Sequence, residues 1–135
     1  MRVSAKVDYA LRALLELAAA PEGPVTGERL AQAQEIPPKF LENILTELRR
    51  AEIVATQRGA DGGYRLAKPA AEVTVADVIR ALEGPIASVR GHRPEQVTYH
   101  GPATSLQQLW LGLRASMRTV LEGTTLADLV ERSKS

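Results

Sequence analysis

At 135 residues, with 44% apolar and 24% charged side chains, the chain has the composition of one globular domain with room for an appended element. It has no cysteine, which excludes a disulfide framework, a Cys-based zinc site and a thiolate-held iron–sulfur cluster, and no cofactor is expected. A net charge of +1 carries no weight for nucleic-acid binding: residues 1–70 hold ten basic against nine acidic side chains, so such a function must rest on where the charges fall.

Aromatic residues are scarce at 4% while Leu and Ala abound, which favours helices over a β-sandwich. Ser4 is placed to cap a first helix. Val7, Ala10, Leu11, Leu14, Leu15 and Ala18 follow it at amphipathic spacing, and Pro21, Gly23 and Pro24 end it. Thr26 is the next N-cap, for a short helix through about Ala33 with Leu30 and Ala33 inward. After the break Gln34-Glu35-Ile36-Pro37, Pro38 suits the first position of a third helix, where its missing N–H costs nothing. Phe40, Leu41, Ile44, Leu45 and Leu48 form the apolar stripe of that helix, which fades after Arg49-Arg50-Ala51. Two short helices joined by a tight turn, behind a longer one, make a tri-helical helix-turn-helix.

Ile53 to Arg58 and Tyr64 to Leu66 are short β-prone runs around Gly59-Ala60-Asp61-Gly62-Gly63, which reads as a hairpin in the position of a wing. Thr74-Val75-Ala76-Asp77 opens a further helix that stops at Gly84. Residues 85–104 lack periodicity and read as a loop. A long helix begins near Ser105, with Leu106, Leu109, Trp110, Leu113, Met117, Val120 and Leu121 at coiled-coil-like spacing. Gly123 ends it, and Thr125 caps a short tail helix carrying Leu126, Leu129 and Val130. The expected fold is mainly α with one small β-hairpin: a winged helix-turn-helix DNA-binding domain over 1–84, a loop and sensing region over 85–104, and a dimerisation helix with its tail over 105–135. No apolar run approaches the roughly 18–20 residues that span a bilayer, and Lys6 and Asp8 interrupt any signal-peptide core. A cytoplasmic protein without a membrane partner is expected.

In such a fold the third helix enters the major groove, and its polar side carries Lys39, Glu42 and Asn43. Asn pairs with adenine, Glu accepts from the cytosine amino group, and Lys holds phosphate or guanine. Arg58 flanks the wing tip within reach of a minor groove, and Gly59, Gly62 and Gly63 let backbone approach phosphates. The plain alternative is a solvated helix face.

Met1 to Lys6 with Tyr9-Ala10, the run Ile36-Pro37-Pro38-Lys39-Phe40-Leu41-Glu42-Asn43-Ile44-Leu45, and Leu48 to Val54 followed by Arg58-Gly59-Ala60-Asp61-Gly62-Gly63-Tyr64 resemble the Rrf-two family of bacterial regulators, the IscR, NsrR and CymR type. The wing motif Arg-Gly-x-x-Gly-Gly-Tyr is its most specific part. The resemblance is close over residues 1–84 and fits the long helix in position. It implies a homodimer, joined through Leu106, Leu109, Trp110, Leu113, Met117, Val120 and Leu121, that reads a roughly palindromic operator, often as a repressor. It places residues 40, 42 and 43 on the recognition helix and Arg58 on the wing. The candidate DNA-binding set is then Thr26, Pro38, Lys39, Phe40, Glu42, Asn43, Arg49, Arg58, Gly59, Gly62, Gly63 and Tyr64. Many family members hold an iron–sulfur cluster by three cysteines in the loop before the dimerisation helix. Here that loop has none, only His92 and His100, so no metal is assigned and the chain resembles a cysteine-free branch.

Three questions stay open at this level. The 85–104 region is either where a small-molecule or protein co-regulator acts or a plain connector. Trp110 and Met117 belong either to a dimer core or to packing against their own domain. A winged helix also serves as a protein–protein module without DNA contacts, although the polar residues at 39, 42 and 43 favour DNA. An enzyme is not expected, because no nucleophile–base motif and no phosphate-binding loop of strand-to-helix type is present.

Overall fold

The computed structural model describes residues 2–20 and 23–135; Met1 of the N-terminal motif and Pro21, expected to help end the first helix, lie outside the described residues. Helix α1 spans Ala5–Ala19, with the Ser4 hydroxyl accepting from the Val7 N–H at 3.1 Å. Helix α2 (Gly27–Gln34) is capped by Thr26, whose hydroxyl accepts from the Arg29 N–H. Helix α3 (Pro38–Arg50) starts on Pro38 itself. The α2–α3 turn closes through Glu35 in the left-handed region at φ 52°, which lets the Ile36 N–H reach the Ala31 carbonyl and buries the Ile36 side chain. Leu30 is buried as expected, but Ala33 is exposed and Ala31 takes the inner place. The reason is that the inward arc of this short helix is centred on Gln34, whose amide donates to Glu16 on α1, so Ala33 lies on the far side.

Strands β1 (Val54–Gln57) and β2 (Gly63–Leu66) form a two-stranded antiparallel sheet in which Val54 faces Leu66 and Thr56 faces Tyr64. The sheet is tied to the chain ahead of α2: Val25 and Tyr64 exchange both backbone hydrogen bonds at 2.8 Å. Helix α4 (Val75–Glu83) carries a full capping box between Thr74 and Asp77 and ends at Gly84. Helix α5 (Ser105–Glu122) and helix α6 (Leu126–Ser133) follow. Among the described residues no helix is long and apolar enough to cross a membrane.

One core joins these parts. Val7, Leu14, Leu30, Leu41, Leu45, Leu48, Val54 and Val78 pack together, and so does Leu126, which enters from the far end of the chain. Two contacts bring it there. The Leu126 N–H donates to the Val73 carbonyl and the Val75 N–H to the Thr124 carbonyl, both at 2.9 Å. Thr125 and Asp128 form a capping box at the start of α6, and the Thr125 N–H and hydroxyl hold the Asp128 carboxyl below its ordinary range. The tail expected beside the dimerisation helix is thus packed on α1 and on the 3₁₀ turn Ala70–Glu72.

The 85–104 segment carries more order than its sequence suggests. It contains 3₁₀ turns at Pro94–Gln96 and Gly101–Thr104, and it buries Pro94 and Val97. Helix α5 fastens it. The Gln107 amide donates to the Pro94 and Val97 carbonyls, the Trp110 indole N–H donates to the Tyr99 hydroxyl at 3.0 Å, and Arg114 pairs with Glu95 at 2.6 Å. A bond within its own backbone segment, reinforced by Arg114, keeps the Glu95 carboxyl below the usual range.

Candidate DNA-binding face

The buried side of α3 is fixed by Leu41, Ile44, Leu45 and Leu48. At 3.6 residues per turn the opposite side is then Lys39, Asn43, Thr46 and Arg50, with Glu42 and Arg49 on the flank toward the hairpin. All six are exposed. Thr46 and Arg50 are additions to the expected set, and the spacing of Lys39, Asn43, Thr46 and Arg50 carried their signal. The Thr46 hydroxyl donates to the Glu42 carbonyl, which fixes its rotamer on that surface.

On the hairpin side, Thr26, Pro38, Lys39, Glu42 and Tyr64 border one groove between α2, α3 and β2. Arg49 stands apart from it, in a second depression formed with Thr56 and Lys68. Phe40 lies on the opposite flank of α3, facing α1. Its ring meets Tyr9 edge-on with centroids 5.5 Å apart, and the Arg12 guanidinium sits 4.9 Å from the Tyr9 ring centre. Arg12 also pairs with Asp8 and donates to the Gln34 carbonyl, so this stack holds α3 against α1 and the turn. The structure therefore brings Thr26, Pro38, Lys39, Glu42 and Tyr64 together, with Asn43 on the same helix face, and leaves Phe40 on the side away from the wing.

The tip glycines divide by cause. Gly59, at φ 108°, has open space where a side chain would stand. A Cβ on Gly62 would lie 2.2 Å from the Gln57 carbonyl oxygen, and one on Gly63 would lie 2.6 Å from the Val25 carbonyl carbon and oxygen. At those two positions the close approach is to the protein's own backbone. Gly63→Ala is expected to cost about 1–3 kcal/mol by unseating β2 from Val25. Thermal denaturation checks this, and an unchanged midpoint would show that the seat yields freely.

Charge on this face is arranged rather than abundant. Among the described residues, the ion pairs of the first 70 are Lys6–Glu47 and Arg12–Asp8, both joining or bracing α1. Lys39, Arg49, Arg50, Arg58 and Arg65 are exposed and make no ion pair among the described residues, so their charge is directed at solvent. Glu28, Glu42 and Asp61 share that surface, which keeps it short of a uniformly basic patch.

Helix α5 carries one broad apolar arc, buried to different depths along it. Trp110, Met117 and Leu121 turn toward their own chain, Leu121 against the core and the other two over a cavity beside α1. Leu106, Leu109 and Val120 are 37%, 58% and 64% exposed, and Leu113, 48% exposed, borders the same cavity as Trp110 and Met117. No residue of the stripe expected for dimerisation is fully buried within the chain.

Comparison with known proteins agrees with this geometry. Residues 3–132 match the Rrf2 family model, described as an iron-dependent transcriptional regulator. A helix-turn-helix-type transcriptional regulator of Mycobacterium tuberculosis H37Rv is 52% identical over 130 residues, covering 96% of this chain and 81% of the relative. The transcriptional regulator CymR of Bacillus subtilis is 38% identical, covering 96% of this chain and 89% of that one. The solved structure of CymR, the global cysteine regulator of B. subtilis, superposes with a TM-score of 0.84 at 36% identity over 98% of both chains. IscR of T. potens superposes at 0.80 with 32% identity, over 98% of this chain and 88% of that one.

Iron does not follow from that match. The chain has no cysteine, His92 and His100 are both exposed, and no group of three or more His, Asp or Glu side chains among the described residues is placed to hold a metal ion. This donor set does not fit a thiolate-held cluster or an iron site of three protein ligands. With the family match running almost end to end and the winged helix superposing on CymR and IscR, the chain belongs to the Rrf2 family of DNA-binding transcriptional regulators.

Proposed function

We propose that this regulator acts as a homodimer on a roughly palindromic operator in the cytoplasm, and as a repressor. The observation that carries the reading is the outward stripe of α3 beside a wing whose Arg58 has no ionic partner among the described residues. In this reading Lys39, Asn43 and Thr46 meet base edges and phosphates in the major groove, and Glu42 accepts from a cytosine amino group. Thr26, Pro38 and Tyr64 shape the groove edge. Arg49 and Arg50 hold phosphates, Gly59 gives the wing tip close approach, and Arg58 enters the neighbouring minor groove. Gly62 and Gly63 serve indirectly by seating the hairpin, and Phe40 by fixing α3 on α1. The division of labour is a reading head over 1–84, a coupling segment over 85–104 and a pairing helix from 105, with α6 returned to the head. The relatives are named as regulators rather than enzymes, which supports a binding function.

Selection of binding sites from a random duplex library at two salt concentrations tests this. An enriched inverted repeat with half-sites about one helical turn apart, bound less tightly as salt rises, is the expected result. No enrichment at either salt, for the purified protein or with cell extract added, would overturn it in favour of a protein-interaction module. Arg58→Ala is expected to weaken binding to every sequence and to lower the slope of log affinity against log salt by about one. An unchanged slope in a fluorescence titration would remove Arg58 from the interface.

A further inference from the structure

A cavity of about 780 Å³ lies between the N-terminal end of α1, the C-terminal end of α4, the 85–89 segment and the inner face of α5. That volume is in the range of small-metabolite sites, and its walls follow the usual pattern of an apolar lining with a few polar groups. Ile79, Ile86, Trp110, Leu113 and Met117 form the apolar side. The Trp110 indole N–H is already satisfied by Tyr99, which is not among the cavity residues, so the ring is held in place and offers the cavity carbon surface.

The polar groups are of opposite sign. Glu83 accepts from the Ser4 hydroxyl at 2.5 Å, and its carboxylate has no cationic partner among the described residues. Arg2 borders the same cavity and has no anionic partner among the described residues. One unpaired carboxylate and one unpaired guanidinium around an apolar space match a small zwitterion. Its ammonium faces Glu83, its carboxylate faces Arg2, and its apolar side chain lies against Trp110 and Met117. A monocarboxylate would leave Glu83 opposed by like charge, and a simple amine would leave Arg2 unused.

We propose that this cavity binds a free α-amino acid with an apolar side chain and that its occupancy is transmitted to the recognition helix through α1. The same helix serves both ends. Val7 lines the cavity just after the Ser4 cap, while Lys6 pairs with Glu47 of α3 at 2.9 Å and Tyr9 meets the Phe40 ring. A ligand that fixes the start of α1 therefore biases the seat of α3. The transmission step rests on the DNA-reading proposal, whereas the binding step does not.

Calorimetric titration of the full chain with L-leucine, L-methionine and L-phenylalanine tests the site. Saturable binding of at least one, at one per chain, is expected. For L-leucine, isoamylamine and 4-methylpentanoate lack one charge each and are expected to bind at least about tenfold more weakly, as charge-paired recognition requires. Glu83→Gln, which keeps an acceptor for Ser4, is expected to lose affinity to a similar extent. The site is overturned if none of the three amino acids gives saturable heat, or if the analogues and the Gln variant bind as the parent does. With an operator from the library selection, the bound amino acid is expected to change DNA affinity about fivefold or more, the lower end of ordinary coupling between sites, in the parent and not in the variant. Amino-acid binding without that change overturns the transmission alone. Absence of any DNA enrichment sinks the operator reading and leaves the calorimetry to decide the cavity.

Discussion

Leu126→Ala lowers the stability of the winged helix by about 2–5 kcal/mol, although the residue lies some forty positions beyond its last core helix. The side chain is fully buried in the core cluster, on a helix that packs against α1 and the Ala70–Glu72 turn. The expected result in urea is a lower midpoint with an unchanged slope, since the folded and unfolded surfaces barely differ. A loss under about 1 kcal/mol would mean that α6 is undocked in solution. The Asp128 cap adds a pH dependence. Its carboxyl is held below the ordinary range in the folded chain, so its contribution is present above the unfolded-state pKa and is lost as pH falls through the folded one. Deleting residues 105–135 would remove Leu126 with the pairing helix, so such a truncation reports unfolding as much as assembly.

Point changes on α5 separate the two. Leu109→Asp combined with Val120→Asp is expected to yield a folded monomer whose operator affinity is lower by about a hundredfold or more, because each half-site then binds without the effective concentration supplied by its twin. Both side chains are solvent-exposed within the chain, so the substitution leaves the core untouched. In a dimer seam it buries two carboxylates per chain without partners, which apolar packing does not offset. Sedimentation and far-ultraviolet circular dichroism read assembly and folding independently. A dimer that survives both substitutions would place the seam elsewhere.

These two cases show where the sequence was readable. Caps and glycine stops located α4, α5 and α6 closely, because Thr74, Thr125, Gly84 and Gly123 act within one turn of where they stand. The α3 stripe was equally plain, since period and burial coincide over a whole helix. What periodicity could not supply was the partner of each apolar face. Leu126 reads as tail until its burial beside Val73 and α1 shows what covers it, and Trp110 reads equally as dimer seam or as packing on its own domain. The 85–104 segment looked unstructured because its order comes from Gln107, Trp110 and Arg114 reaching back to it, not from any repeat of its own. The wing glycines were legible as glycines, but the backbone they make room for, at Val25 and Gln57, lies elsewhere in the chain.

The return of α6 also sets an order of events during synthesis. A ribosome that has released residues 1–84 has exported every helix and strand of the reading head, yet the void that Leu126 fills is still open. The last side chain of that core arrives some forty residues after α4 is complete. Elongation proceeds at roughly 5–20 residues per second, so the head waits about 2–9 seconds after α4 is made before it can be sealed. A nascent chain that has emerged only through α4 therefore lacks its finished fold, and the head is complete only once α6 has emerged.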